Sequence, residues 1–269
     1  MNPDLKVLSL GAGVQSSTLA LMMEKGEIEK PDVAIFSDTM SEPEKVMEWL
    51  EYLKTQVSFP IHIVSKGNLR QHTLDAAQGI GKYKYVTIPV YTINAETKKK
   101  GLLRRQCTGD YKILPVNAEV RKCLGLKRYQ HIKKGTQVDM YMGISYDEVT
   151  RMRTNQVKYI NNKYPLVDLK MRRQDCIDWM EENNYPKPPR SACTFCPYHS
   201  DEEWKLVREN KKEWDDVVAL DKAIRHGTKK PEDEIFLHRS CKPIDEVDFD
   251  EKSDQINMFE NDCQGMCGI

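Results

Sequence analysis

Apolar and polar positions along this chain alternate between two periods. Leu5 to Leu10 is an apolar run of strand length, and beyond Gly11-Ala12-Gly13 the apolar residues return at helical spacing from Gln15 to Lys25. Asp32 to Ser37 is a second strand-like run, and Ile61 to Val64 a third. Between them, Ser41-Glu42-Pro43-Glu44 offers an N-cap, early acids and a first-turn proline to a helix with Val46, Trp49, Leu50 and Leu53 on one face. Lys82 to Asn94 alternates as an extended or hairpin segment, and Lys98-Lys99-Lys100-Gly101 reads as a mobile basic loop. A helix to about Leu124, a strand from Thr136 to Gly143 and a short apolar segment at Pro165–Asp168 follow. Further helices are expected over 172–183, 201–210 and 213–225.

Strands alternating with helices predict an α/β fold, a doubly wound and mostly parallel sheet. Ligands then belong at the carboxyl ends of the strands. Three prolines between Tyr185 and Arg190 cannot continue a helix and mark the clearest boundary. The expected division is an α/β nucleotide-binding domain over 1–185 and a helical, cysteine-bearing region over 186–269.

The first strand-to-helix junction is the strongest chemical signal. Glycines let the backbone approach closely, and the unpaired amides and dipole of a helix start favour an anion. Ser16 and Ser17 add hydroxyls, so Gly11, Ala12, Gly13, Gln15, Ser16 and Ser17 form a candidate phosphate loop. A GxxxxGK[ST] loop needs a lysine at the helix start, where this chain has serine. Gly11, Gly13 and Ser16 approximate a dinucleotide fingerprint, with no other sign of that architecture. The third option is the Ser-Gly-Gly-x-Asp-Ser loop of ATP pyrophosphatases, which Gly11 to Ser16 resembles with Gly13 and Ser16 matching.

Composition narrows the partners. The 269 residues suffice for a full core, 30% are charged, and no apolar run approaches the roughly 18 residues of a membrane span. The first residues show no basic segment followed by an apolar one, so a cytoplasmic location without membrane association is expected. The net charge of zero conceals an asymmetry: 98–134 holds twelve Lys or Arg against two acids, and 232–262 eleven acids against three bases. The first segment could face a nucleic acid or could simply be a solvated surface.

Several separated stretches share one order. The loop at 9–18, Asp38-Thr39 with Pro43-Glu44, Cys107 with Lys112 and Pro115, and Gly143 with Glu148 and Arg151 resemble the phosphoadenosine phosphosulfate (PAPS) reductase-like branch of the ATP pyrophosphatase, or adenine nucleotide alpha-hydrolase, superfamily. The likeness spans about 5–200. The form of the loop, the Cys-x-x-Cys-Pro and the terminal Cys-x-Gly-Met-Cys-Gly resemble a subgroup common in phage and bacteria. The resemblance implies that the loop holds the phosphates of ATP or PAPS with Mg²⁺. Ser37, Asp38, Thr39 and Gly143 would then lie beside the nucleotide, and Cys107, Lys112 and Arg151 would act in catalysis, with Arg105 as a further anion ligand. Gln15 departs from the aspartate of the family, and a neutral amide supplies no charge to a cation.

Eight cysteines, four of them in two close pairs, suggest metal or redox chemistry in a chain expected to be cytoplasmic. Cys193 and Cys196 can grip one centre, with Cys263 and Cys267 as the best further ligands and Cys241 as a substitute. Four thiolates suit zinc or a [4Fe–4S] cluster. The resemblance favours the cluster. Cys123 and Cys176 read as buried small hydrophobes, and His199 and His238 as hydrogen-bonded surface or interface residues.

Three functions follow from the resemblance. The first is an ATP-dependent enzyme that adenylates a substrate, releasing pyrophosphate, for sulfur transfer to a nucleic-acid base or its precursor. The second is a PAPS or adenylyl-sulfate reductase using a C-terminal thiolate such as Cys267. The third is a non-catalytic nucleotide-binding protein. The acceptor, the sulfur donor and the oligomeric state stay open, a homodimer among the options.

Overall fold

The computed structural model describes residues 2–80, 86–103, 106–227 and 232–250. Five strands form a parallel sheet: β1 (Leu5–Leu10), β2 (Val33–Asp38), β3 (Ile61–Ser65), β6 (Val138–Met142) and β7 (Ile160–Lys163), in the order β3-β2-β1-β6-β7. The order reverses at β1, with β2 on one side and β6 on the other. That reversal opens the crevice in which ligands of such sheets bind.

Alternate residues of the strands serve opposite faces, as a period of two requires. Leu8, Leu10, Ala34 and Phe36 pack under α1 (Val14–Lys25), α2 (Glu44–Gln56) and α6 (Arg173–Glu182). Val7, Val33, Ile35, Val138 and Met140 pack against Val116 and Val120 of α4 (Leu114–Cys123). The sheet is thus covered on both faces, which explains why its central strands read as continuous apolar runs.

The start of α2 differs from the sequence expectation. Its N-cap is Pro43, and no side chain caps it. Ser41 lies before it with its hydroxyl on the Thr39 carbonyl at 3.4 Å.

A second layer forms around three antiparallel strands in the order β5-β4-β8: β4 (Tyr91–Asn94), β5 (Lys100–Leu102) and β8 (Asp233–Phe236). The basic stretch at 98–101 is therefore a hairpin turn running into β5, not a free loop. Pairing of β8 with β4 joins residues on the two sides of the proline-rich stretch at 186–189. Around this sheet, α3 (Leu69–Ala77), α7 (Asp201–Glu209) and α8 (Lys211–Ile224) bury Trp204, Leu220, Ile224 and Ile235 in a separate core. The segment at Pro165–Asp168 is a one-turn helix, α5. No helix among the described residues is long and apolar enough to cross a membrane.

Candidate active site at the carboxyl edge of the sheet

The turn from β1 to α1 is tight because Ala12 takes a positive φ of 57° and Gly13 is the N-cap. The Gly11 amide donates to the Ser16 hydroxyl at 3.2 Å, which bends the loop back on the first helical turn. No side chain caps α1, and no acid lies in its first turn. A helix start of this kind presents amides and the positive end of the helix dipole to whatever sits over the loop.

The neighbouring strand fits this turn closely. A Cβ at Gly143 would lie 2.7 Å from both Cα and N of Ser16, so only glycine lets the end of β6 rest on α1. Beyond it, the Gln15 amide donates to Glu148 Oε2 at 3.3 Å and to Ser145 Oγ at 3.5 Å. Arg151 donates to the other carboxylate oxygen of Glu148 at 2.7 Å. Burial raises the Glu148 carboxyl above its ordinary range, with Arg151 opposing. Arg151 is thus held as an ion pair beside the loop.

Three of the expected contact residues have structural partners. The Ser17 hydroxyl accepts from the Trp49 indole at 2.8 Å, fixing α2 to α1. Ser37 donates to the Tyr111 carbonyl at 2.6 Å, tying a π-helical turn at Gly109–Ile113 to β2. That turn carries Lys112. Asp38 accepts from the Met40 amide at 2.6 Å and shapes the bend after β2.

At the end of β2 the chain assembles a compact polar group. Thr39 Oγ1 lies 3.3 Å from Cys193 Sγ and 3.2 Å from Glu42 Oε1. Lys112 Nζ stands 3.8 Å from the same carboxylate oxygen, whose side chain is almost wholly buried. Cys193 Sγ is 4.0 Å from it. Burial pushes the Cys193 thiol well above its ordinary range; Glu42 adds to this, Lys112 opposes it, and Cys107 is close enough to contribute. The thiol therefore rests protonated, beside a carboxylate and a cation.

The segment that delivers Cys193 is itself well fixed. The Thr194 amide donates to Ser41 O at 3.0 Å, and the Cys196 amide closes the Cys-x-x-Cys turn on Cys193 O at 2.9 Å. His199 Nε2 lies 3.0 Å from that same carbonyl. Burial, reinforced by Arg190, lowers His199 to about 3, so its ring is neutral and donates from Nε2. Both His199 and His238 are hydrogen-bonded as expected, but they are buried rather than on the surface. His238 Nε2 contacts Asp201 at 2.9 Å.

Ser191 closes the site from above, its Cβ 3.6 Å from where a Cβ would stand on Gly13. Its hydroxyl is buried, with no partner among the described residues.

Cys196 and Leu102 pack against Tyr198. Cys241 is buried with its thiol 3.6 Å from Thr92 O. Among the described residues, neither belongs with Cys193 to a set of three donors within 4.8 Å of one another. Cys263, Cys267 and Arg105 lie outside the described residues.

No family model matches the chain, and no curated protein does. Among solved structures it is similar to the phosphoadenylyl-sulfate (PAPS) reductase from Candida auris in its phosphate complex. The identity is 11%, the TM-score 0.40, and the match covers 68% of this chain and 74% of that one.

Sequence reading did not single out Glu42, Ser145 or Ser191. Glu42 resembled a helix-start acid, but the helix cap is Pro43, so Glu42 lies before the helix with its side chain turned inward. The basic stretch also divides. Lys98 to Lys100 lie exposed on the β4–β5 hairpin, whereas 125–137 precedes β6 and so lies at the amino ends of the strands, opposite the phosphate loop.

Proposed function

We propose that this chain is an ATP-dependent enzyme that adenylates a substrate at the carboxyl edge of its sheet and carries out sulfur transfer there. The acceptor in this reading is a nucleic-acid base or its precursor. The observation that carries it is the 3.3 Å contact between the Cys193 thiol and Thr39, at the end of the strand next to the phosphate loop. A thiol, a carboxylate and a lysine lie within about one side-chain length of the strand ends where a nucleotide belongs.

In this reading each group has one task. Gly11 to Ser17 receive the phosphates through the start of α1, aided by Mg²⁺. An acceptor oxygen attacks the α-phosphorus, the bond to the bridging oxygen breaks, and pyrophosphate leaves with that electron pair. A sulfide-level sulfur nucleophile from a separate donor then attacks the adenylated carbon, the C–S bond forms, and AMP leaves with the electrons of the C–O bond. Lys112 supplies positive charge to the leaving group, a contribution that needs positioning rather than covalent help. Glu42 accepts the proton of Cys193 when that thiol acts. A nucleic-acid substrate would meet Lys98 to Lys100 first.

Cys193 and Cys196, with Cys107 close by, have the donor chemistry of a soft-metal centre, and Cys263 and Cys267 are its further ligands in this reading. An iron–sulfur cluster there would bring sulfide and redox chemistry to the strand ends; zinc would only hold the turn.

The test is incubation with ATP, Mg²⁺ and candidate RNA, DNA and nucleobase acceptors, after purification without oxygen and assay of iron, zinc and sulfide. AMP and pyrophosphate released in equal amounts, and lost with Lys112→Ala, are the expected result. Sulfite release from PAPS with thioredoxin would replace this reading by the reductase one. ATP binding without turnover on any acceptor would make the chain a nucleotide-binding protein.

A further inference from the structure

On the free edge of the large sheet, away from the strand ends, three different metal-binding side chains converge. Glu119 and Cys123 lie one helical turn apart on α4, and His62 projects from edge strand β3 towards both. His62 Nδ1 is 3.1 Å from Glu119 Oε1 and 3.9 Å from Cys123 Sγ, and the three donor atoms lie within 4.8 Å of one another. A tetrahedral zinc ion, with bonds of about 2.0 Å to N and O and about 2.3 Å to S, needs donor separations of about 3.3–3.5 Å. The two His62 spacings bracket that range, and side-chain rotation of Glu119 and Cys123 on α4 brings the third pair to it.

The surroundings suit a cation with one open position. The second oxygen of Glu119 accepts from Lys122 at 2.7 Å, which leaves Oε1 turned to His62 and fixes the carboxylate as a single-oxygen ligand. Outer partners of this kind are what orient metal ligands. His62 is 41% exposed at its side chain, and a groove of about 640 Å³ runs along β3 and α4 past His62, Glu119 and Lys122. An ion therefore has a path in, and its fourth position faces solvent.

We propose that His62, Glu119 and Cys123 form a zinc-binding site, with water in the fourth position open to this groove. A mixed nitrogen, oxygen and sulfur set selects zinc-class ions over magnesium or calcium. Binding would release the Cys123 proton and clamp edge strand β3 onto α4. The site stands apart from the nucleotide reading and does not depend on it.

The experiment uses the full chain with Co²⁺ as the spectroscopic probe and Zn²⁺ as its competitor. Wild type is expected to show a thiolate-to-cobalt charge-transfer band and the intense visible bands of four-coordinate cobalt, both erased by Zn²⁺. His62→Gln and Cys123→Ser should each lower bound cobalt by one ion per chain. Lys122→Met, which only loosens Glu119, should weaken binding by about tenfold. Circular dichroism of the ion-free proteins checks the fold, and because His62 is exposed its variant decides the matter should Cys123→Ser unfold. Cobalt stoichiometry and spectrum unchanged in a folded His62→Gln variant would overturn the proposal.

Discussion

Gln15 lies with its amide nitrogen 3.3 Å from a carboxylate oxygen of Glu148, joining the first turn of α1 to the segment after β6. This contact gives a physical reason for a neutral amide in a loop that resembles one carrying aspartate. A carboxylate on the Gln15 side chain would face that of Glu148 in a buried setting, whereas the amide donates to it. Gln15→Glu should therefore destabilise the fold by about 1–3 kcal/mol at neutral pH, the cost of a buried charged group without a donor. Urea denaturation should show the deficit shrinking at acid pH, where one of the two carboxyls takes up a proton. A deficit independent of pH would mean that the pair does not meet.

Glu148 also makes a prediction of its own. Burial raises its carboxyl in the folded chain, Arg151 only partly offsetting this, so the native state holds the proton more tightly than the unfolded one. Such a group stabilises most below its unfolded value, and that contribution is lost as pH rises through the raised folded value. Relative to Glu148→Gln, wild type should lose stability across this window, just above the ordinary carboxylate range. In Glu148→Gln this component should be absent, leaving an offset from the lost ion pair with Arg151. Denaturant midpoints measured between pH 4 and pH 7 give both slopes.

The fold was legible where chain-local pattern decides it. Leu5 to Leu10 announces a strand because both faces of the sheet are covered there and four of its six positions are apolar. Ile61 to Val64 does so through its β-branched residues, although β3 is an edge strand with polar His62 in it. By contrast, Leu69 to Ala77 carries Arg70, Gln71, His72 and Asp75, too polar for its helical rhythm to show, and β7 reads Ile-Asn-Asn-Lys because it is an edge. β8 exists only through its pairing with β4, about 140 residues earlier. The candidate site divides in the same way. The Gly11 to Ser17 turn is local and readable. The approach of Cys193 to Thr39 is set by how the two layers dock, and Glu119 and Cys123 are one turn apart in sequence while their third partner, His62, lies far upstream. Cys123 accordingly sits half-buried among possible ligands rather than sealed in a core as expected.

Gly143 offers a test of the loop that avoids charge. A methyl group there would meet the backbone of Ser16 at 2.7 Å, where no flexible side chain can yield. Gly143→Ala should cost about 1–3 kcal/mol, the range for overpacking a rigid contact. It should also weaken ATP binding by displacing the first turn of α1. Gly109→Ala, with nothing within 4 Å of the added carbon, is the matched control and should bind as wild type. Calorimetric titration with ATP and thermal melting distinguish the two. Equal behaviour of both variants would remove the close contact from the account.

The thiols differ enough in environment to be ranked by reactivity. Burial drives Cys176 up to about 12 and Cys193 well above its ordinary range, so neither is a thiolate at neutral pH, and Cys176 is also sealed from solvent. Iodoacetamide labelling of the native chain at pH 7.5, followed by peptide mass spectrometry, should modify Cys176 and Cys193 last, since the thiolate is the reacting form. Removing the Glu42 charge takes away one of the groups that hold Cys193 protonated, while Lys112 remains. Glu42→Gln should therefore speed labelling of Cys193 and leave Cys176 unchanged. A rise at both cysteines would signal general loosening of the fold, and no rise at either would show that Glu42 does not govern the Cys193 thiol.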